Sequence, residues 1–221
     1  MNKQMDANAL FGYGFTAYQM GDMILAIEQL EALLALDPDY SSLYPYLAKA
    51  YEAEGRFDDA LEILEKGIKV DEYNEQLYVL AGKLSFKRQR PNEGERFLRQ
   101  VIALNPSNVE AVQTLAAYFK HVEMYDELLE LMSHVKEMGE EDPIYTWYEA
   151  TALRENDDFD KALKCYREIE VGYEHDVDFL EEYGYFLLEF GKREEAKLKF
   201  QQVLLLQPEN TGVSELLQNL D

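Results

Sequence analysis

Every thirty-fourth residue from Gly14 onward is glycine or alanine: Gly14, Ala48, Gly82, Ala116, Ala150 and Gly184. A second ladder runs in step with it through Ala26, Ala60, Gly94, Leu128, Ala162 and Ala196. A third marks unit ends at Pro38, Glu72, Pro106, Glu140, Glu174 and Pro208. Three phase-locked ladders without an insertion mean one short unit copied six times. A unit this short cannot bury an apolar face alone, so neighbours must stack to build a continuous core.

The clearest copy is 41–74. It reads Tyr44-x-x-Leu47-Ala48-x-x-Tyr51, then Gly55-Arg56-Phe57, then Ala60-x-x-x-Leu64. Apolar spacings of three and four predict an amphipathic helix. Gly55 ends it, since glycine takes the left-handed conformation that closes helices at little steric cost. Leu61, Ile63, Leu64 and Ile68 restart the helical period. The unit is therefore two antiparallel helices, with Ala48 and Ala60 where the pair approaches most closely.

This pattern resembles the tetratricopeptide repeat (TPR) family, whose unit is 34 residues long with an aromatic, Leu-Gly, Tyr, Ala, Phe, Pro order. The resemblance covers 7–210 as units 7–40, 41–74, 75–108, 109–142, 143–176 and 177–210. It implies an all-α, right-handed superhelical solenoid with the first helix of each unit lining a concave side. Three units depart from the pattern: Gly94 and Pro91 in the third, the bulky Leu128 in the fourth, and Thr146 and Glu149 at apolar places in the fifth. Trp147 belongs to core or groove according to a one-residue shift. In 211–221, Val213, Leu216, Leu217 and Leu220 form a one-sided stripe, either a capping helix or the start of a seventh unit.

The net charge of −23 opposes nucleic acid and anionic bilayers as partners, both being polyanions. Against that background 75–108 is net positive, through Lys83, Lys87, Arg88, Arg90, Arg96 and Arg99. Cys165 is the only cysteine, which excludes an internal disulfide and suits a reducing cytoplasm. Residues 1–6 lead into an amphipathic helix rather than a continuous apolar run, so no signal peptide is expected. No stretch is long and apolar enough to predict a membrane span.

Catalytic and metal motifs are missing from the pattern. His121, His134 and His175 fall in separate units without ligand spacing, and no histidine is near Cys165 in sequence to activate it. No Walker A or dinucleotide fingerprint occurs. The acidic stretch 137–142 lacks the ligand order and central glycine of a calcium loop. The expectation is a protein without enzyme activity, metal or cofactor.

Groove-facing offsets on the first helices collect Phe11, Phe15, Tyr18, Tyr46, Lys49, Lys83, Phe86, Lys87, Lys120, His121, Trp147, Arg154 and Tyr185. Rings beside cations on a pre-formed surface suit an extended, acidic and apolar segment of another protein. The alternative is that the lysines complement helix C-termini and the rings pack in the core. Family members that grip a chaperone's terminal carboxylate use a five-residue clamp. Its places hold Phe11, Phe15, Tyr46, Gln76 and Leu80 here, and Pro45, Lys49, Leu80, Glu110 and Thr114 one unit on. Neither set matches. The reading is a cytoplasmic interaction scaffold, and its rival is a self-associating module (a homodimer) or a piece of a longer repeat protein.

Overall fold

A computed structural model describes residues 6–220. Residues 1–5, on which the signal-peptide expectation partly rests, and residue 221 lie outside it. Thirteen α-helices and one 3-10 turn make up the described residues, with no strand among them. The chain is all-α. It divides into two compact units, residues 1–118 and 119–221.

The first unit holds α1 (Ala7–Gln19), α2 (Met23–Leu36), α3 (Leu43–Ala53), α4 (Phe57–Val70), α5 (Glu75–Lys87), α6 (Pro91–Leu104) and most of α7 (Val109–His121). Here α1 packs on α2, α3 on α4 and α5 on α6, while α3 also rests on α2 and α5 on α4. The second unit holds the end of α7, then α8 (Tyr125–Glu137), α9 (Pro143–Glu155), α10 (Phe159–Ile169), the 3-10 turn Glu170–Tyr173, α11 (Val177–Glu189), α12 (Arg193–Leu206) and α13 (Thr211–Leu220). In it α9 pairs with α10 and α11 with α12, and α13 lies on α12 with Val213 buried. Arg193 donates to the carbonyl of Leu220, holding the end of α13.

The first ladder is a line of close helix contacts. A Cβ on Gly82 would stand 2.7 Å from Cγ of Leu98, sixteen residues on, and one on Gly184 would stand 2.7 Å from the ring of Phe200. The second ladder is equally tight, with Ala26, Ala60, Ala162 and Ala196 fully buried. Gly94 has its own cause. Its missing side chain leaves room for the Phe86 ring, which a Cβ there would meet at 2.6 Å. Leu128 is fully buried in α8, so the fourth unit holds the larger side chain inside its core.

The turn between paired helices repeats as strictly as the ladders. Gly21, Gly55, Gln89, Glu123, Asp157 and Gly191 all adopt positive φ, between 58° and 81°. Each precedes an amide that reaches back five residues: Arg56 N–H to Tyr51 O at 2.8 Å, Arg90 to Ser85 at 2.9 Å, Lys192 to Leu187 at 2.7 Å. This is the left-handed closure of a helix C-terminus. Three turns use glycine; the other three impose the same conformation on side chains that resist it.

Two outcomes follow. Gln89→Gly, Glu123→Gly and Asp157→Gly should each raise the unfolding free energy by about 1 kcal/mol, because relief of left-handed strain exceeds the entropy glycine adds to the unfolded chain. Ala60→Leu should cost ~1–3 kcal/mol by overpacking the α3–α4 contact. Denaturant unfolding followed by circular dichroism measures both.

Candidate functional site

Helix α1 places Phe11, Phe15 and Tyr18 at spacings of four and three, one stripe along a single side. The next first helix, α3, brings Tyr46 against all three. Its ring lies 5.9 Å from Phe11, 4.8 Å from Phe15 and 5.6 Å from Tyr18, in edge-on geometry each time. Tyr40, from the loop before α3, lies 5.2 Å from Phe11 and donates from its hydroxyl to Asn8. Edge-on packing sets the positive rim of one ring against the negative face of another, which stabilises such clusters beyond area burial alone. The four rings are half-buried, and Phe11, Tyr18 and Tyr46 rest on the core.

One turn beyond Tyr46 stands Lys49, half-exposed and without an ion-pair or hydrogen-bond partner among the described residues. The other lysines named from the sequence are engaged. Lys83 meets Glu110 at 2.6 Å, and Lys87 meets Glu52 at 2.9 Å while lying 4.9 Å over the Phe57 ring. All four charged side chains are about a third exposed or more, so each pair adds only ~0–1 kcal/mol and opens readily. The ring of Phe86 turns away from this side: it lies against Gly94 and stacks on Tyr118 at 4.0 Å.

In the second unit the corresponding side is tied shut by a residue the groove offsets do not include. The carboxylate of Glu182, 17% exposed, accepts from Lys120 Nζ at 2.8 Å, Trp147 Nε1 at 3.0 Å, Thr151 Oγ1 at 2.6 Å and Tyr166 Oη at 2.9 Å. Burial alone would raise its pKa. The Lys120 charge and the hydrogen bonds from Lys120, Thr151 and Tyr166 overrule it, and the pKa is lowered. Burial, then the Glu182 charge, pushes the Tyr166 phenol upward.

Trp147 is half-buried and packs against the core, edge-on to Tyr173 at 5.2 Å and to Phe179 at 5.3 Å. Arg154 forms a two-pronged pair with Glu189 at 2.6 and 2.8 Å. His121 is exposed at the end of α7, and Tyr185 is 42% exposed with its ring edge-on to Phe200. The polar departures of the fifth unit also find places. Glu149 pairs with Lys136 of α8, and Thr146 is buried. Burial, then the Glu149 charge, pushes the half-buried Cys165 thiol up to about 11, far from the thiolate range. Glu182 was findable: it stands in register with Tyr46, Leu80, Thr114 and Tyr148, as the one carboxylate on that ladder.

Glu182→Ala should destabilise the second unit by ~1–3 kcal/mol, because the half-exposed Lys120 and three neutral donors lose their acceptor together. A carboxyl with a depressed pKa contributes stability that is complete above its unfolded value, 4.5, and is lost as pH falls through the folded one. Acid unfolding of Glu182→Gln should accordingly show a shallower slope below that pH than the parent chain.

Residues 143–210 match the model of YpiA-like C-terminal tetratricopeptide repeats, and residues 17–84 match a general tetratricopeptide repeat model. The TPR repeat-containing protein YpiA of Bacillus subtilis is 40% identical over all 221 residues; the chain spans 52% of that relative, about half its length. Among solved structures, Pseudomonas aeruginosa PilF superposes with a TM-score of 0.69 at 18% identity, over 96% of this chain and 97% of that one. YrrB, described as a TPR protein with an unusual peptide-binding site, gives 0.64 at 16% identity, over 86% and 98%. Helix pairs locked by a 34-residue ladder of small residues and matches at both ends of the array agree: the chain belongs to the tetratricopeptide repeat family.

Proposed function

We propose that this protein is a non-catalytic scaffold that holds a segment of another protein on the open side of α1, α3 and α5. The observation that carries this reading is the half-exposed cluster of Phe11, Phe15, Tyr18 and Tyr46 with the unpartnered Lys49 one turn beyond it. Rigid aromatic side chains on a pre-formed surface lose little entropy on binding and supply most of the energy in typical interfaces. Membership of a family of interaction scaffolds supports the same class of activity, and YrrB is a family member described as binding peptide.

The chemistry of the ligand follows from what remains free on that side. Aromatic and aliphatic side chains of the segment would lie against the ring cluster, and one carboxylate would meet Lys49. Lys83 and Lys87 already have carboxylate partners, Glu110 and Glu52, so further acids on the ligand must displace them with small net gain. Apolar anchoring dominates and charge adjusts register. The single cysteine, Cys165, suits a reducing cytoplasm as the place of work.

Selection from a random peptide library on the immobilised chain tests this. Enriched peptides should carry aromatic or aliphatic anchors. Phe15→Ala with Tyr46→Ala should weaken them at least about tenfold, a loss of ~1.4 kcal/mol. Lys49→Glu should weaken only those peptides that carry an acid, and their affinity should fall with salt. No enrichment, or affinities indifferent to all three changes in a folded chain, removes the proposal.

A further inference from the structure

The repeat register supplies an internal control for the fifth unit. Thr146, near the start of α9, stands where Tyr44, Tyr78, Val112 and Leu180 stand in four other units. It is smaller than three of them and polar where the fourth, Val112, is not. Only 6% of it is exposed, yet its hydroxyl makes no hydrogen bond among the described residues. Thr16, Thr114 and Thr151 each donate to the carbonyl four residues back, and Thr146 does not. A buried hydroxyl without a partner is costly to leave so, and a ligand that accepts or donates there removes the cost.

Thr146 opens on a cleft of about 380 Å³. The other walls are Lys136 in the last turn of α8, Glu140 and Glu141 in the loop that follows, and Glu168 near the end of α10. Cavities that hold small molecules span roughly 300–1,000 Å³, and this one falls at the small end. It is bounded by α8, α9 and α10 and involves neither end of the chain.

The charges around it select a cation. Lys136 is already neutralised by Glu149 of α9, while Glu141 and Glu168 have no ion-pair partner among the described residues. A metal ion does not fit this donor set. Among the described residues no three acidic, histidine or cysteine side chains are grouped closely enough to hold one, and a hard cation needs its oxygens converged. Carboxylates that line a cleft without converging suit positive charges spaced along a chain. An ammonium group brings three donors and no acceptor, which matches a wall made of carboxylates and a hydroxyl.

We propose that this cleft binds an aliphatic diamine or polyamine. One ammonium donates to the Thr146 hydroxyl inside the cleft, and another meets the carboxylates of Glu141 and Glu168 at its rim. The site shares no residue with the aromatic cluster, so it does not depend on the peptide-binding reading.

Isothermal titration calorimetry of the full chain with putrescine is the test. The expected result is one saturable site whose affinity falls as salt rises. Mg²⁺ carries the same charge at a single point and should bind at least about tenfold more weakly. Glu141→Gln with Glu168→Gln should weaken putrescine at least about tenfold. Glu62→Gln with Glu65→Gln, which removes the same charge from the exposed face of α4, should leave it unchanged. Thr146→Leu, the residue of the sixth unit, should fill the cleft and abolish binding. Thr146→Val, the residue of the fourth, keeps the size, removes the hydroxyl and should weaken binding even where the leucine variant fails to fold. Absence of a saturable site overturns the proposal. So does Mg²⁺ binding as tightly as putrescine, or an equal loss from both glutamine pairs in chains of parental helix content.

Discussion

The fold depends on how closely two helices can approach at one small residue per pair. Gly82 leaves no room for a Cβ against Leu98, nor does Gly184 against Phe200, and the partner is always sixteen residues on. That fixed offset sets the pair geometry, which in turn sets the left-handed turn joining the helices. Gln89, Glu123 and Asp157 show which of the two leads: they adopt the glycine conformation without being glycine. Packing along both helices dictates the turn, and the turn residue yields.

The same geometry distributes charge. Lys87 with Glu52, and Arg154 with Glu189, are each 35 residues apart, one repeat and one residue, so neighbouring pairs are laced by ion pairs on the open side of the first helices. An acidic chain thus consumes its scarce cations internally. In the second unit the lacing is deep, because Glu182 is enclosed and four donors from α7, α9 and α10 converge on it. In the first unit the pairs are exposed and aromatic rings take the equivalent place. Two stretches of one repeat pattern therefore offer different surfaces: one neutralised and closed, the other apolar and open.

The ladders made the helix pairs and their all-α packing readable, since small residues at a fixed interval have a single mechanical use. The candidate site was readable by residue type and much less by partner. Phe11, Phe15, Tyr18 and Tyr46 were named from their offsets, and the edge-on packing of Tyr46 on the other three follows once α1 and α3 are adjacent. Phe86 was named by the same offset, yet its ring turns to α6 because Gly94 opens a space there. That is a coupling between two helices which no single-helix pattern contains. Lys120 was read as groove charge, but its partner lies 62 residues away on α11. Local periodicity ranks which face a side chain joins; it does not say which carboxylate reaches across to meet it.

Helix α1 shows how one helix can offer two unlike sides. Internal first helices bury one side against the preceding pair, which is why Leu47, Ala81 and Leu115 are inaccessible. In α1 the matching side is open, and it is apolar rather than charged. Tyr13, Ile24 and Leu25 stand at places of the repeat that are buried or charged in most of the later pairs, so the side that α1 leaves exposed is a packing surface of the repeat itself. The aromatic side of the same helix remains available to a ligand.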